Sequence, residues 1–259
     1  MKISFIGAGR VAHHLAKALS AQHQIVDVYS RSGTAAQALA DQVAARAVSS
    51  AQDLNPEIDI AIIAVSDQAI ESVVRDIGVY LPKVCLVHTS GSTAMQVLSA
   101  VHDRVGVFYP LQTFSFESVI DWSNTPLLIE AKDPEDEKQL LQLAQQMSQR
   151  VYAYSSEQRL SLHLAAVFAC NFSNYCFDMA QQIVDAKQVD FSLLHPLVLE
   201  TAKKATQHPP HSVQTGPAKR GDQNILNLHQ TLLNDAARQD LQQVYALLSQ
   251  QIQQREQYA

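Results

Sequence analysis

Lys2-Ile3-Ser4-Phe5-Ile6-Gly7-Ala8-Gly9-Arg10-Val11-Ala12 decides how the rest of the chain is read: a short apolar run stops at glycine, and G-x-G-x-x-A leads straight into the amphipathic stretch 11–19. In a strand-to-helix turn of this kind the first glycine makes the bend. The second lets backbone approach a pyrophosphate, and the small Ala12 lets the helix pack close to the strand. The start of the helix then offers unpaired N–H groups and a positive dipole end to phosphate. Gly7, Ala8, Gly9, Arg10 and Val11 are the expected dinucleotide-binding residues.

Working outward, the same alternation repeats. Apolar runs at 25–29, 58–65 and 84–88 are followed by helical patterns at 34–43 and 68–80. Ile60-Ala61-Ile62-Ile63-Ala64-Val65 is apolar at every position, as a strand buried on both faces of a parallel sheet must be. Two more strands, 105–109 and 126–131, flank a loop. Asp133-Pro134-Glu135-Asp136 then opens a helix with a capping acid, a first-turn proline and acids at the positive end. A short strand near 151–154 closes the pattern. The prediction is an α/β protein with a doubly wound, mostly parallel Rossmann sheet over 1–153. Strand signals vanish beyond it, and helices are expected over 156–186, 191–207, 223–237 and 238–254, so residues 154–259 are read as an all-helical second domain.

An NAD-selecting site carries a carboxylate about 20 residues past the glycines, where the second strand ends. Here that place holds Ser30-Arg31-Ser32, while Asp27 lies mid-strand. An arginine between hydroxyls suits a 2′-phosphate, which makes NADP(H) the expected cofactor. At the next strand ends, Ala64, Val65, Ser66 and Ser90 are placed against the cofactor, and Ser90 and Gly91 also against a substrate. The alternative for Ser66, Ser92 and Thr93 is helix capping.

Composition narrows the remaining choices. With 259 residues, 47% hydrophobic and 17% charged, the chain has ample core for two domains. A net charge of −6 without a basic run argues against nucleic acid. No signal peptide or spanning segment is read, so a cytoplasmic protein without a membrane partner is expected. Cys85, Cys170 and Cys176 lack metal or disulfide spacing and are read as buried fillers. His13-His14 and His208-x-x-His211 lack acidic or thiol partners, and no metal site is expected.

These residues, with Tyr109-Pro110-Leu111-Gln112-Thr113-Phe114, His163-Leu164-Ala165-Ala166-Val167-Phe168-Ala169-Cys170-Asn171 and Thr215-Gly216-Pro217-Ala218-Lys219-Arg220-Gly221-Asp222, resemble a bacterial NADP oxidoreductase family. Its members join a Rossmann-like domain to a C-terminal helical domain of unknown function. More distantly the chain is similar to pyrroline-5-carboxylate reductase, the 6-phosphogluconate dehydrogenase group and deazaflavin-dependent NADP reductases. The resemblance implies the fold, the cofactor class and a homodimer formed through the helical domain. Where the family commonly has histidine, this chain has Tyr109, which could still donate a hydrogen bond.

Hydride chemistry belongs to the nicotinamide, and the protein must orient the substrate and move one proton. At about 100° per residue, Ser156, Arg159, His163, Asn171, Asn174 and Asp178 share one face of an otherwise apolar helix, broken by Val167. By likeness to related dehydrogenases, His163 is the candidate proton donor and Asn171 the candidate orienter, with Tyr109 a further candidate donor. Asn174 and Arg220 are candidate substrate contacts. A core role for His163, and for Arg220 a contact with Asp222 that fixes the loop, are the plain alternatives. The reading is an NADP(H)-dependent oxidoreductase of a small anionic carbonyl or imine compound, acting in the cleft between the two domains. The alternatives are a regulatory NADP(H)-binding protein or, third, a methyltransferase.

Overall fold

The computed structural model describes residues 1–257, which divide into two compact units, 1–168 and 169–257. In the first, eight strands form one sheet: β1 (Lys2–Ile6), β2 (Gln24–Tyr29), β3 (Arg46–Val48), β4 (Ile60–Ile63), β5 (Cys85–His88), β6 (Val105–Pro110), β7 (Leu127–Ala131) and β8 (Val151–Ala153). Their order is β3-β2-β1-β4-β5-β6-β7-β8, and every pairing is parallel except β6 with β7. The order reverses at β1, so the ends of β1 and β4 flank the crevice where ligands bind in such sheets. This is the doubly wound, mostly parallel sheet that the apolar runs implied.

Helices α1 (Arg10–Ser20), α2 (Gly33–Gln42), α3 (Ile70–Gly78), α4 (Gln96–Ser99), α5 (Pro134–Gln145) and α6 (Ser156–Ala166) belong to this unit. Ile3, Phe5, Leu15, Val28, Ile62, Val87, Phe108, Ile129 and Leu143 close the core on one face of the sheet. Ile6, Ala61, Ile63, Ile70, Val74, Leu86 and Val105 close it on the other. Asp133 caps α5 as expected, accepting from the N–H groups of Glu135 and Asp136. β3 and α4 had no counterpart in the sequence reading. Both are too short to leave a periodic signal.

The second unit contains α7 (Ser173–Asp185), α8 (His195–Gln207), α9 (Pro217–Arg220), α10 (Gln223–Asp235) and α11 (Gln239–Gln257). Two expectations need correcting. The helix predicted over 156–186 is not uniform, because residues Val167–Phe172 form a π-helical turn between α6 and α7. Its i→i+5 bonding changes the angular step, so the polar face counted at constant pitch from His163 to Asn171 does not hold. Of the three cysteines only Cys85 is buried, its thiol pushed up to about 12 chiefly by desolvation, whereas Cys170 and Cys176 are exposed. Much of the apolar surface of the second unit is uncovered within the chain.

No helix among the described residues is long and apolar enough to cross a membrane. No group of three or more histidine, cysteine or acidic side chains able to hold a metal ion occurs among them either.

Candidate active site

The turn after β1 has the form a dinucleotide needs. Gly7 has φ +110°, and its N–H donates to Tyr29 O at 2.7 Å. A β-carbon there would lie 2.2 Å from Ala64 O at the end of β4, so only glycine fits. At Gly9 a β-carbon would meet nothing within 4 Å, leaving the backbone open on that side. Gly9 caps α1 without a side-chain hydrogen bond, and the first turn holds no acid. The N–H groups of Arg10, Val11 and Ala12 therefore have no acceptor in their own helix and face no competing carboxylate, which suits an anionic pyrophosphate.

The end of β2 explains the missing carboxylate. Asp27 is fully buried and takes Arg46 Nε at 2.8 Å on one oxygen and the Asn55 N–H at 2.8 Å on the other. Its charge is committed to the β2–β3 corner. Arg31 is exposed beyond the strand, Ser30 Oγ accepts from the Ser32 N–H, and Ser32 Oγ accepts from the Ala35 N–H to cap α2. The donor set is cationic, and the Asp27 carboxylate is already taken. These residues fit NADP better than NAD.

The ends of β5 and β6 build a second cluster. Tyr109 Oη lies 3.2 Å from His163 Nδ1, the phenol coming from β6 and the imidazole from α6. Both rings meet over Gly91, where a β-carbon would stand 2.6 Å from His163 Nδ1 and 2.8 Å from Tyr109 Oη. Burial raises the Tyr109 phenol above its ordinary value, with Arg159 opposing and Asp67 adding to the rise. Tyr109 thus stays protonated and can donate to the ring.

Gly91 belongs to a tightly wired loop. Ser90 Oγ accepts from the N–H groups of Ser92 and Thr93 and donates to Thr93 Oγ1 at 2.9 Å. Ser92 Oγ donates to Asp67 Oδ2 at 2.5 Å, tying the loop to the segment after β4. Ser66 starts the short turn there without a side-chain cap, so the capping alternative does not account for its hydroxyl. Gly91 lies against the Tyr109–His163 pair with Ser90 next to it in the chain, while Ala64 abuts Gly7. Asn171, Asn174 and Arg220 belong to the second unit. Asn171 is exposed within the π turn, and Asn174 lines a cavity with Phe177, Asp178 and His195. Asp222 caps α10 by accepting from the Ile225 N–H.

Sequence reasoning missed two groups. His88, buried at the end of β5, accepts the Ser90 N–H on Nδ1 at 3.1 Å, which places its proton on Nε2. Desolvation, aided by Arg159, lowers its pKa to about 3, so it is neutral. Arg159 shares the polar helix face in the sequence, and nothing in that pattern gives it a role. It is 1% exposed and donates to Glu130 Oε2 at 2.5 Å, Thr93 O at 2.6 Å and Ser156 Oγ at 3.1 Å. His88 Nε2 and Arg159 Nε are buried without a hydrogen-bond partner among the described residues. Each such group costs about 1–3 kcal/mol, more where charged, so this network is a poor device for stability alone. A histidine ending an otherwise apolar parallel strand was the available signal.

Comparison with known proteins accords with this geometry. Residues 2–90 match the model described as NADP oxidoreductase coenzyme F420-dependent, and residues 125–252 match a domain of unknown function, DUF2520. No curated protein matches the sequence. Among solved structures, a putative NADP oxidoreductase from Bacteroides fragilis is 39% identical over 98% of both chains, with a TM-score of 0.90. An imine reductase from Myxococcus stipitatus, in complex with NADP+, is 17% identical over 100% of this chain and 95% of its own, with a TM-score of 0.71. A 1-pyrroline-5-carboxylate reductase from Streptococcus pyogenes is 16% identical over 95% and 98%, with a TM-score of 0.65. The last two share the fold. With its glycine turn, its cationic β2 end and a relative of this identity along nearly its whole length, the chain belongs to the NADP oxidoreductase family whose members carry a DUF2520 domain at the C-terminal side, and NADP is its cofactor.

Proposed function

We propose that this chain reduces or oxidises a small carbonyl or imine compound carrying an anionic group, with Tyr109 and His163 handling the proton. The observation that carries the reading is the 3.2 Å contact between Tyr109 Oη and His163 Nδ1 beside the collar of Ser90 and Gly91. NADPH, when bound, supplies the reducing equivalent. The chain's own part is to bind the cofactor, hold the acceptor group and deliver a proton. Gly7, Ala8, Gly9, Arg10 and Val11 hold the pyrophosphate, Ser30, Arg31 and Ser32 the 2′-phosphate, and Ala64, Val65, Ser66 and Ser90 the nicotinamide half.

With Tyr109 donating to Nδ1, the His163 ring carries its proton on Nε2, and that N–H is the donor directed to the substrate heteroatom; as Nε2 gives its proton up, Nδ1 takes the Tyr109 hydroxyl proton across the 3.2 Å contact, and the tyrosinate is reprotonated from water. Tyr109 fixes the tautomer, as an orienting partner does for a general acid. Asn171 and Asn174 as substrate contacts, and Arg220 as the anchor of an anionic group, complete the proposal. The imine reductase and the pyrroline-5-carboxylate reductase that share this fold act on C=N bonds by name, which is why imines stand beside carbonyls in the substrate class.

The second unit supports a homodimer. Tyr175, Leu193, Leu197, Leu199, Leu228 and Leu232 are all exposed, and a second copy of the chain is the cover we propose for these faces.

Thermal melting with NADP present, across a panel of small carbonyl and imine acids, tests the function. A ligand that raises the melting temperature only in the presence of cofactor, and that drives NADPH oxidation, is the expected result. Binding of NADPH with no turnover on any panel member would instead favour a regulatory protein.

A further inference from the structure

We infer that Arg159 is the positioning residue of this site, holding the loop 90–93 and helix α6 in the one arrangement that sets His163 against Tyr109. The inference rests on the functional reading of that pair. Its geometry stands independently.

Arg159 lies four residues before His163 on α6, so the two occupy the same face one turn apart. From inside the first unit its guanidinium reaches three separate elements. One arm meets Glu130 Oε2 on β7 at 2.5 Å, the other meets Thr93 O at 2.6 Å and Ser156 Oγ at the start of α6 at 3.1 Å. Ser156 closes the circuit by donating to Glu130 Oε2 at 2.7 Å while accepting the Met95 N–H at 2.9 Å. Helix, loop and sheet are thereby fixed to one planar cation.

The loop is held at its other end too. His88 Nδ1 takes the Ser90 N–H, so both ends of the segment from Ser90 to Thr93 are pinned by buried side chains, and Gly91 between them is the surface against which Tyr109 and His163 meet. Only a guanidinium offers several donors in a fixed fork, and a lysine ammonium in its place would be a point charge on a flexible stem. The two roles are therefore separable: neutralising Glu130 needs a charge, whereas setting His163 needs the fork.

Two variants test this in the full chain: Arg159→Lys, and Arg159→Met combined with Glu130→Gln so that no lone buried charge remains. The first readout is the pair of imidazole 15N shifts of His163 without ligand, which report how firmly one tautomer is held. Widely separated Nδ1 and Nε2 shifts are expected in the parent, and convergence towards an average in both variants, with NADPH affinity unchanged. The second, once a substrate is known, is a kcat lower by about 10²-fold at unchanged KM for NADPH, as for a misplaced catalytic group. Parental 15N shifts in either folded variant would overturn the inference, and so would loss of fold in both, which would make Arg159 a purely structural residue. Failure of the functional reading looks different: His163→Gln would leave turnover intact while the Arg159 variants still altered the His163 shifts.

Discussion

Gly91 and His163 are so close that a methyl group on the glycine would stand 2.6 Å from Nδ1 of the ring, and 2.7 Å from Cζ of Tyr109. The atoms in the way are the ends of side chains. Gly91→Ala should therefore leave the sheet and the cofactor turn intact while pushing the two rings apart. The expected outcome is a fall in kcat of about 10²-fold, with NADPH affinity near the parent's. Turnover equal to the parent's, measured alongside a cofactor titration, would show that the pair does not act together.

Arg31 carries the cofactor preference. Because Asp27 is spent on Arg46 and the Asn55 N–H, its carboxylate is not available to accept from a ribose 2′-hydroxyl. NADPH should bind at least about tenfold more tightly than NADH, equivalent to about 1.4 kcal/mol. Arg31→Ala should remove most of that difference by weakening NADPH alone. Calorimetric titration of both cofactors decides it, and equal affinities in the parent would end the argument.

Much of this was legible in the sequence, and what was not has a physical cause. Strands buried on both faces announce themselves as unbroken apolar runs, and the glycine turn is local, so the sheet and the class of cofactor could be read directly. Arg159 with Glu130, 29 residues apart, could not. Their pairing is made by strand order and helix docking, which no periodicity encodes. The π turn at Val167–Phe172 was equally hidden, because a single extra residue in one turn leaves composition unchanged while rotating everything after it. Asp27 shows the reverse case: its mid-strand position was read as unsuited to a ribose, and the reason became visible only with Arg46 beside it.

The homodimer is checked by mass. Light scattering at micromolar concentration should give twice the 28.5 kDa of the chain. Leu197→Glu, at an exposed position on α8, should shift that mass towards one chain, since a charge in an apolar interface loses its solvation. A parent that scatters as a single chain would refute the dimer.

His88 makes stability sensitive to acid. In the folded chain it titrates at about 3 against an ordinary value of 6.5. Below 6.5 the unfolded chain takes up a proton that the folded chain refuses, so stability falls with pH between those two values. The slope contributed is at most about 1.4 kcal/mol per pH unit. His88→Asn keeps an acceptor for the Ser90 N–H and removes the titration. Its denaturant-unfolding free energy should fall less steeply than the parent's between pH 6.5 and about pH 4. Equal slopes would mean that His88 is protonated or accessible in the folded state.

The proton donor itself is tested by comparing His163→Gln with Tyr109→Phe. If His163 delivers the proton, its replacement should lower kcat by about 10²–10⁴-fold with NADPH affinity nearly unchanged. The separation follows from position, because the phosphate and ribose contacts assigned to residues 7–11 and 30–32 lie in the turn after β1, at the start of α1 and just beyond β2, none of which carries the imidazole. Tyr109→Phe removes only the hydroxyl 3.2 Å from Nδ1 and leaves Nε2 untouched, so a smaller loss is expected, together with a His163 ring that no longer holds one tautomer. A merely structural histidine would behave otherwise: His163→Gln would then lower the melting temperature and cofactor binding together. Should Tyr109→Phe prove the more damaging change while His163→Gln turns over normally, the phenol is the donor and the order of the pair is reversed.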